Sequence, residues 1–167
     1  MKRASSKKIA LLGMLAALTV ALSFAESLIP PLPLLPPGFK IGIANIAVMY
    51  ALFCLDLKAA LALSVVKSSF MLITSGGYAF ALSLCGSVLS SLVMFALLKM
   101  FKERISFIAL SVVGALFHNA AQLFMVCIIT SSLAALYYSP VLVFMAIACG
   151  SATAALTAAA MPIIKKL

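Results

Sequence analysis

From Ile41 to Ser75 the chain reads IGIANIAVMYALFCLDLKAALALSVVKSSFMLITS. Two apolar runs, 41–55 and 59–74, flank a short polar break, Cys54-Leu-Asp-Leu-Lys58. They are 15 and 16 residues long, below the about 20 residues that carry a helix across a bilayer core. Read as one interrupted run they make a single crossing; read apart they make two. The topology of the whole chain turns on that choice.

The rest of the sequence leaves no doubt about the solvent. Of 167 residues, 66% are hydrophobic and 9% charged, with a mean hydropathy of +1.29. A water-soluble domain carries about 25% charged residues, so this chain cannot cover a water-facing surface. In hydrocarbon every backbone polar group needs a partner within the protein, so apolar runs of this length must be helices. Four further runs fall at 9–29, 80–98, 107–130 and 140–164. The length is that of a single domain, 1–167, with no room for a soluble catalytic domain beside it.

Basic residues decide between five and six spans. Lys and Arg total 12 against three acids. With six spans, one side of the membrane holds Lys2, Arg3, Lys7, Lys8, Lys58, Lys99, Lys102, Arg104, Lys165 and Lys166. Only Lys40 lies opposite, and Lys67 lies within a span. Fusing the runs of Ile41–Ser75 would carry Lys99, Lys102 and Arg104 to the other side from the N-terminal cluster. Basic loops stay cytoplasmic. The sequence therefore predicts an all-α integral membrane bundle of six transmembrane helices, both termini cytoplasmic, multi-pass in a prokaryotic plasma membrane. The N-terminal run is too long for the core of a signal peptide and lacks a small-x-small cleavage site, so it reads as a retained first span.

Five of the seven prolines fall between Pro30 and Pro37. Proline stiffens the chain toward polyproline II, and Leu32, Leu34, Leu35 and Phe39 make this first outer loop apolar. It reads either as a lid over an outward pocket or as a helix stop resting on the end of the bundle.

Several functions are excluded. Net charge is +9, yet the cations stand in short clusters between apolar runs, with no basic groove for nucleic acid. Cys54, Cys85, Cys127 and Cys149 form no C-x-x-C pair and read as small buried hydrophobes. Three acids, Glu26, Asp56 and Glu103, cannot build a D-D-x-x-D diphosphate–magnesium site. No Walker A, H-E-x-x-H or G-x-S-x-G sequence occurs. The expectation is a protein without catalytic residues, metal or cofactor.

Polar groups at membrane depth are costly, and each is a candidate for function. They are Glu26, Asn45, Lys67, His118, Asn119 and Gln122. In the six-span topology all lie between the midplane and the outer face, and His118 and Gln122, four apart, share one helix face. The inner half carries little besides hydroxyls. A channel needs polar groups through the full thickness; a pocket open outward needs them in the outer half alone. The pattern predicts an outward binding cavity sealed below by apolar packing, suited to a polar or anionic head on an apolar body. Glu26 is a candidate partner for Lys67. Each residue also has a structural reading: Lys67 snorkelling, the amides and His118 bonding between helices. Ser75-Gly76-Gly77-Tyr78 reads foremost as a tight turn.

Gly13, Ala17, Ala21 and Ala25 recur every four residues in the first span. Such a small-residue stripe lets another helix approach closely, and it is a candidate face for a partner subunit. A second stripe, Gly150, Ala154 and Ala158, reads as internal packing.

Three segments resemble one family: Glu26-Ser-Leu-Ile-Pro-Pro-Leu-Pro, Gly38-Phe-Lys-Ile-Gly-Ile-Ala-Asn45 and Gly114-Ala-Leu-Phe-His-Asn-Ala-Ala-Gln122. They resemble the Gx transporter family, whose members carry the label heptaprenyl diphosphate synthase component I. That family is similar to the substrate-binding S components of energy-coupling factor (ECF) transporters. The resemblance implies a six-helix S-component-like bundle with an outward pocket, a lid-like first loop and a docking stripe here at Gly13, Ala17 and Ala21. It implies import of a vitamin-like small molecule, with flavin, quinone and isoprenoid-related compounds all compatible. A transmembrane coupling subunit and ATPase subunits would be partners. Two rival expectations are a non-catalytic accessory subunit of prenyl or quinone metabolism, docking through Lys99, Lys102 and Arg104, and a stand-alone facilitator or channel.

Overall fold

A computed structural model describes the backbone of residues 2–28, 42–101 and 105–164, and the side chains of 6–28, 42–101 and 105–159. The proline loop, Lys40, Lys102, Arg104, Lys165 and Lys166 lie outside the described residues, so the lid does too, and of the basic docking patch only Lys99 is described. The described chain is helical with no strand: α1 (Lys2–Ser27), α2 (Asn45–Cys54), α3 (Leu57–Phe101), α4 (Phe107–Thr130), a 3-10 turn (Leu133–Tyr138) and α5 (Ser139–Ile164).

Ser6–Ser27, Leu57–Phe101, Phe107–Thr130 and Leu133–Ala159 are each long and apolar enough to cross a membrane. This is a multi-pass membrane protein. At 1.5 Å per residue the 24 residues of α4 reach about 36 Å, against a hydrocarbon core of about 30 Å. The 10 residues of α2 reach about 15 Å, half a crossing. The helical part of the second run is thus shorter than the 41–55 expected, because Gly42, at φ 87, stands outside helical geometry.

A straight α3 of 45 residues would be about 68 Å long. It is not straight. Gly76 breaks it at φ 83, ψ 179, a region open in practice only to glycine. Ser68 Oγ donates to Ser83 Oγ over 3.2 Å, although fifteen residues of straight helix would separate them by about 22 Å. The helix therefore folds back on itself, and its two arms, 57–75 and 77–101, run antiparallel. The arms cover the runs expected at 59–74 and 80–98, and α4 coincides with 107–130.

Local chemistry sets the other ends. Ser106 caps α4, its side chain accepting from the Ile108 and Ala109 N–H groups, and Ser131 closes it in the left-handed region at φ 49. Asp56 caps α3: its Oδ1 accepts from Ala59 N–H at 2.8 Å, while Oδ2 accepts from Lys8 Nζ at 2.6 Å. That pair ties the start of α1 to the α2–α3 turn. Phe53 and Phe107 meet nearby, with ring centroids 4.8 Å apart.

Two apolar clusters fill the interior. The larger joins Leu15, Val48, Met49, Leu52, Leu63, Met94 and Leu110. The second joins Leu82, Leu123, Val126 and Leu142. The stripes of small residues part ways. Gly150 and Ala154 are buried while Ala158, expected inside with them, is exposed, and a Cβ on Gly150 would stand 2.8 Å from Val112 Cα, so α5 and α4 touch backbone to backbone. On α1 the buried face is Leu15, Thr19, Ser23 and Glu26. Gly13, Ala17, Ala21 and Ala25 are exposed, with nothing within 4 Å of a Cβ on Gly13.

Candidate binding site

The candidate site forms where α2, both arms of α3, α4 and α5 converge. α4 contributes Ser111, Gly114, Ala115, His118 and Asn119 to a pocket. This is the i, i+3, i+4, i+7, i+8 pattern of one helix face, about 12 Å long. Gly42, Asn45 and Met49 face it from α2 and its lead-in, Ser90 and Met94 from α3, and Cys149 and Thr153 from α5. Its free volume is about 30 Å³, room for one or two waters.

A second, smaller chamber adjoins it. Lys67, Met71, Ala79, Ser83, His118, Gln122 and Gly42 line about 10 Å³. His118 and Gly42 border both hollows, so the two form one site divided by the imidazole. Two glycines make the room. A Cβ on Gly86 would stand 2.8 Å from His118 Cε1, and one on Gly114 would stand 2.6 Å from Met94 Sδ. Any larger residue at these positions displaces the ring or the thioether.

The sequence candidates are distributed as follows. Lys67 Nζ donates to Asn45 Oδ1 at 2.8 Å. Glu26 Oε1 accepts from Gly42 N–H. Glu26 and Lys67, expected as partners, thus bond the two ends of the Gly42–Asn45 turn. Lys67, His118 and Gln122 meet around the small chamber, and all three are at least nine-tenths buried. Asn119 borders the pocket but gives its Nδ2 to the Leu142 carbonyl at 3.0 Å, which fixes α4 to α5.

The hydroxyls were visible in the sequence, but not as lining residues of a site. Ser90, Ser111 and Thr153 extend the polar lining past His118 toward the Lys8–Asp56 end, where hydroxyls were expected only within an apolar seal. Most buried hydroxyls bond their own helix, as Ser64 does to Ala60 O and Ser91 to Ser87 O. A hydroxyl that bonds the i−4 carbonyl hides its polarity from a hydropathy reading. Met49, Met94 and Cys149 also line the site; of these the sequence reading singled out Cys149 alone, as a small buried hydrophobe. Their only signal was helical spacing from other lining residues.

Among the described residues, three buried atoms make no well-formed hydrogen bond: Ser87 Oγ, His118 Nδ1 and Gln122 Oε1. An unpaired buried polar group costs about 1–3 kcal/mol, and native proteins leave few of them. Two of the three belong to residues that line the site. The arrangement can therefore offer hydrogen bonds and one ammonium to a molecule that enters it.

The chain matches the family described as heptaprenyl diphosphate synthase component I over residues 15–160. No significant match to a curated protein or to a solved structure was found. The chain belongs to the heptaprenyl diphosphate synthase component I family.

Proposed function

We propose that this family member is the membrane substrate-binding component of an ECF-type importer, capturing a small amphiphile from outside the cell. One observation carries the reading: polar side chains from α2, α3 and α4 converge on a divided hollow that leaves its own buried polar atoms unanswered. In this reading the chain crosses the plasma membrane six times, with the Lys8–Asp56 end cytoplasmic and the Gly76 break outside. The distribution of cations supports that orientation. Glu26, Asn45, Lys67, His118, Asn119 and Gln122 contribute to binding. The chain performs no catalysis of its own; coupling and ATPase subunits supply the work.

The exposed stripe Gly13, Ala17 and Ala21 supports docking of the coupling subunit, since small residues on an unoccupied helix face allow close approach in a membrane. The test has two parts. Mass spectrometry of molecules retained by the purified chain should find one small compound at near-stoichiometric amount. Ala17→Leu and Ala21→Leu should abolish co-purification with a coupling subunit while leaving the bundle folded. Retention of nothing, together with unchanged assembly of the variants, overturns the reading.

A second reading draws on a different surface. An open apolar groove of about 800 Å³ runs between the second arm of α3 and α4, lined by Phe80, Leu84, Val88, Phe117 and Phe124. Such a groove suits an isoprenoid chain, and with the family's name it favours an accessory subunit of a prenyl-transferring enzyme. Co-purification of a soluble synthase subunit, in place of ATPases, would select it. Uptake by proteoliposomes holding this chain alone would select a facilitator.

A further inference from the structure

The following inference rests on the capture reading and adds to it the route and the tail of the captured molecule. Between α4 and α5 lies a hollow of about 90 Å³. Leu116, Ala120 and Leu123 wall it from α4, Leu142 and Val143 from α5, and its polar members are Asn119 and Ser139. Ala120 and Val143 are exposed, so the hollow opens on the outside of the bundle. Asn119 is the thirteenth of the 24 residues of α4, about mid-depth in the bilayer, where the surroundings are lipid chains. The hollow shares Asn119 with the pocket beside His118. The larger groove at Phe80 and Phe124 shares no residue with that pocket.

On either side of Asn119 the gap between α4 and α5 is closed. Toward the Lys8–Asp56 end, Gly150 lies against the Val112 backbone. Toward the other end, Val126 and Ala135 pack with Leu142 in one apolar cluster. Between these closures Asn119 Nδ2 donates to the Leu142 carbonyl at 3.0 Å.

We propose that this bond bolts a lateral window, through which an amphiphile dissolved in the membrane reaches the pocket and in which its hydrocarbon tail stays. Aliphatic walls at mid-membrane depth take a hydrocarbon chain, since a polar group there would lose its hydrogen bonds. Hydrogen bonds between helices are weak in a membrane, because the freed groups find other partners, so turning Asn119 aside costs little. An oxygen on the entering head group then accepts from Asn119 Nδ2 in place of the Leu142 carbonyl. Deeper in the pocket the hydroxyls of Ser90, Ser111 and Thr153 offer it further partners, and the flexible thioethers of Met49 and Met94 can move aside for it. Head and tail thus lie on opposite sides of Asn119.

The experiment uses the full chain in lipid vesicles and two isomers of a dodecanol probe, one with a photoreactive diazirine beside the hydroxyl and one with it at the tail end. Labelled residues are located by mass spectrometry over a concentration series. The head-end isomer should label Met94 or Cys149 inside the pocket. The tail-end isomer should label the walls at 116–123 and 139–143, and both labels should saturate. Val143→Trp places a ring in the mouth of the hollow from a position 48% exposed and should abolish the inner label. Leu89→Trp, in the groove that does not meet the pocket, should leave it unchanged. Asn119→Ala, without the bolt, should bring the inner label faster. If Val143→Trp does not fold, the contrast between the two isomers in the unaltered protein decides. Labels that never saturate, as ordinary lipid contact gives, would overturn the proposal. So would the same pattern from both isomers, no inner label, an inner label that survives Val143→Trp, or one no faster in Asn119→Ala. A retained natural compound without a hydrocarbon tail would overturn it too while leaving the capture reading intact.

Discussion

The hydroxyls of Ser68 and Ser83 bond at 3.2 Å across the break at Gly76, and this contact fixes the two arms of α3 side by side. Lys67 and Ser83 thereby face the same chamber. The fold-back and the candidate site are one structural event, since without it Lys67 would stand far from His118.

Gly76→Ala should therefore be costly. Its φ of 83 with ψ of 179 strains any residue bearing a Cβ, by about 1–3 kcal/mol. Gly77, helical and with open space around it, is the control. Gly77→Ala should be neutral or stabilising by up to about 1 kcal/mol. Thermal unfolding of both variants in detergent checks the contrast; equal midpoints would refute the hinge.

Gly86→Ala should disturb the site more than Gly114→Ala. The first puts a methyl group 2.8 Å from His118 Cε1 and 2.9 Å from Nδ1, both on a ring, while the second meets Met94 Sδ and Cγ, which can rotate away. Overpacking a rigid neighbour costs about 1–3 kcal/mol. Retention of the bound compound should be lost in Gly86→Ala and kept in Gly114→Ala, as read by mass spectrometry of the purified variants.

Asp56 gives a pH-dependent test away from the membrane interior. The hydrogen bond from Lys8, and next the Ala59 N–H, hold its carboxyl below the ordinary value of 3.8, with desolvation opposing. A depressed folded value means that the contribution to stability is complete above the unfolded value. It fades as pH falls below 3.8 through the lower folded value. Asp56→Asn keeps an acceptor for the cap and loses the ion pair; Asp56→Ala loses both. The cap is worth about 1 kcal/mol, whereas the pair, with side chains 51% and 40% exposed, is screened by solvent. Asp56→Ala should thus lower the midpoint more than Asp56→Asn. Salt should narrow the gap between the unaltered protein and either variant, and leave the gap between the two variants unchanged.

The two small-residue stripes should respond oppositely to added bulk. Gly150→Ala drives a methyl to 2.8 Å from the Val112 backbone and should lower the unfolding midpoint, with a cost of about 1–3 kcal/mol. Gly13→Ala meets empty space and should leave the midpoint unchanged or raise it by the helix preference of alanine, up to about 1 kcal/mol.

Hydropathy alone determined that this chain is a helical membrane protein, because lipid leaves the backbone no other way to satisfy its hydrogen bonds. The breaks near Asp56, Gly76 and Ser106 were legible for the same reason, as polar or small residues interrupting apolar runs. The ionisable and amide residues at membrane depth were legible as costly exceptions. Which way each helix faces was not. In water an apolar stripe marks the core side, but here lipid and core are both apolar, so periodicity in α1, α3 and α5 points nowhere. Only tertiary packing decided that Gly150 lies inside and Gly13 outside, and that Glu26 binds Gly42 while Lys67 binds Asn45. It alone selected Ser90, Ser111 and Thr153, among many hydroxyls, to continue the lining beyond His118. Those choices depend on which surfaces fit at backbone distance, a property of helix pairs that no single stretch of sequence contains.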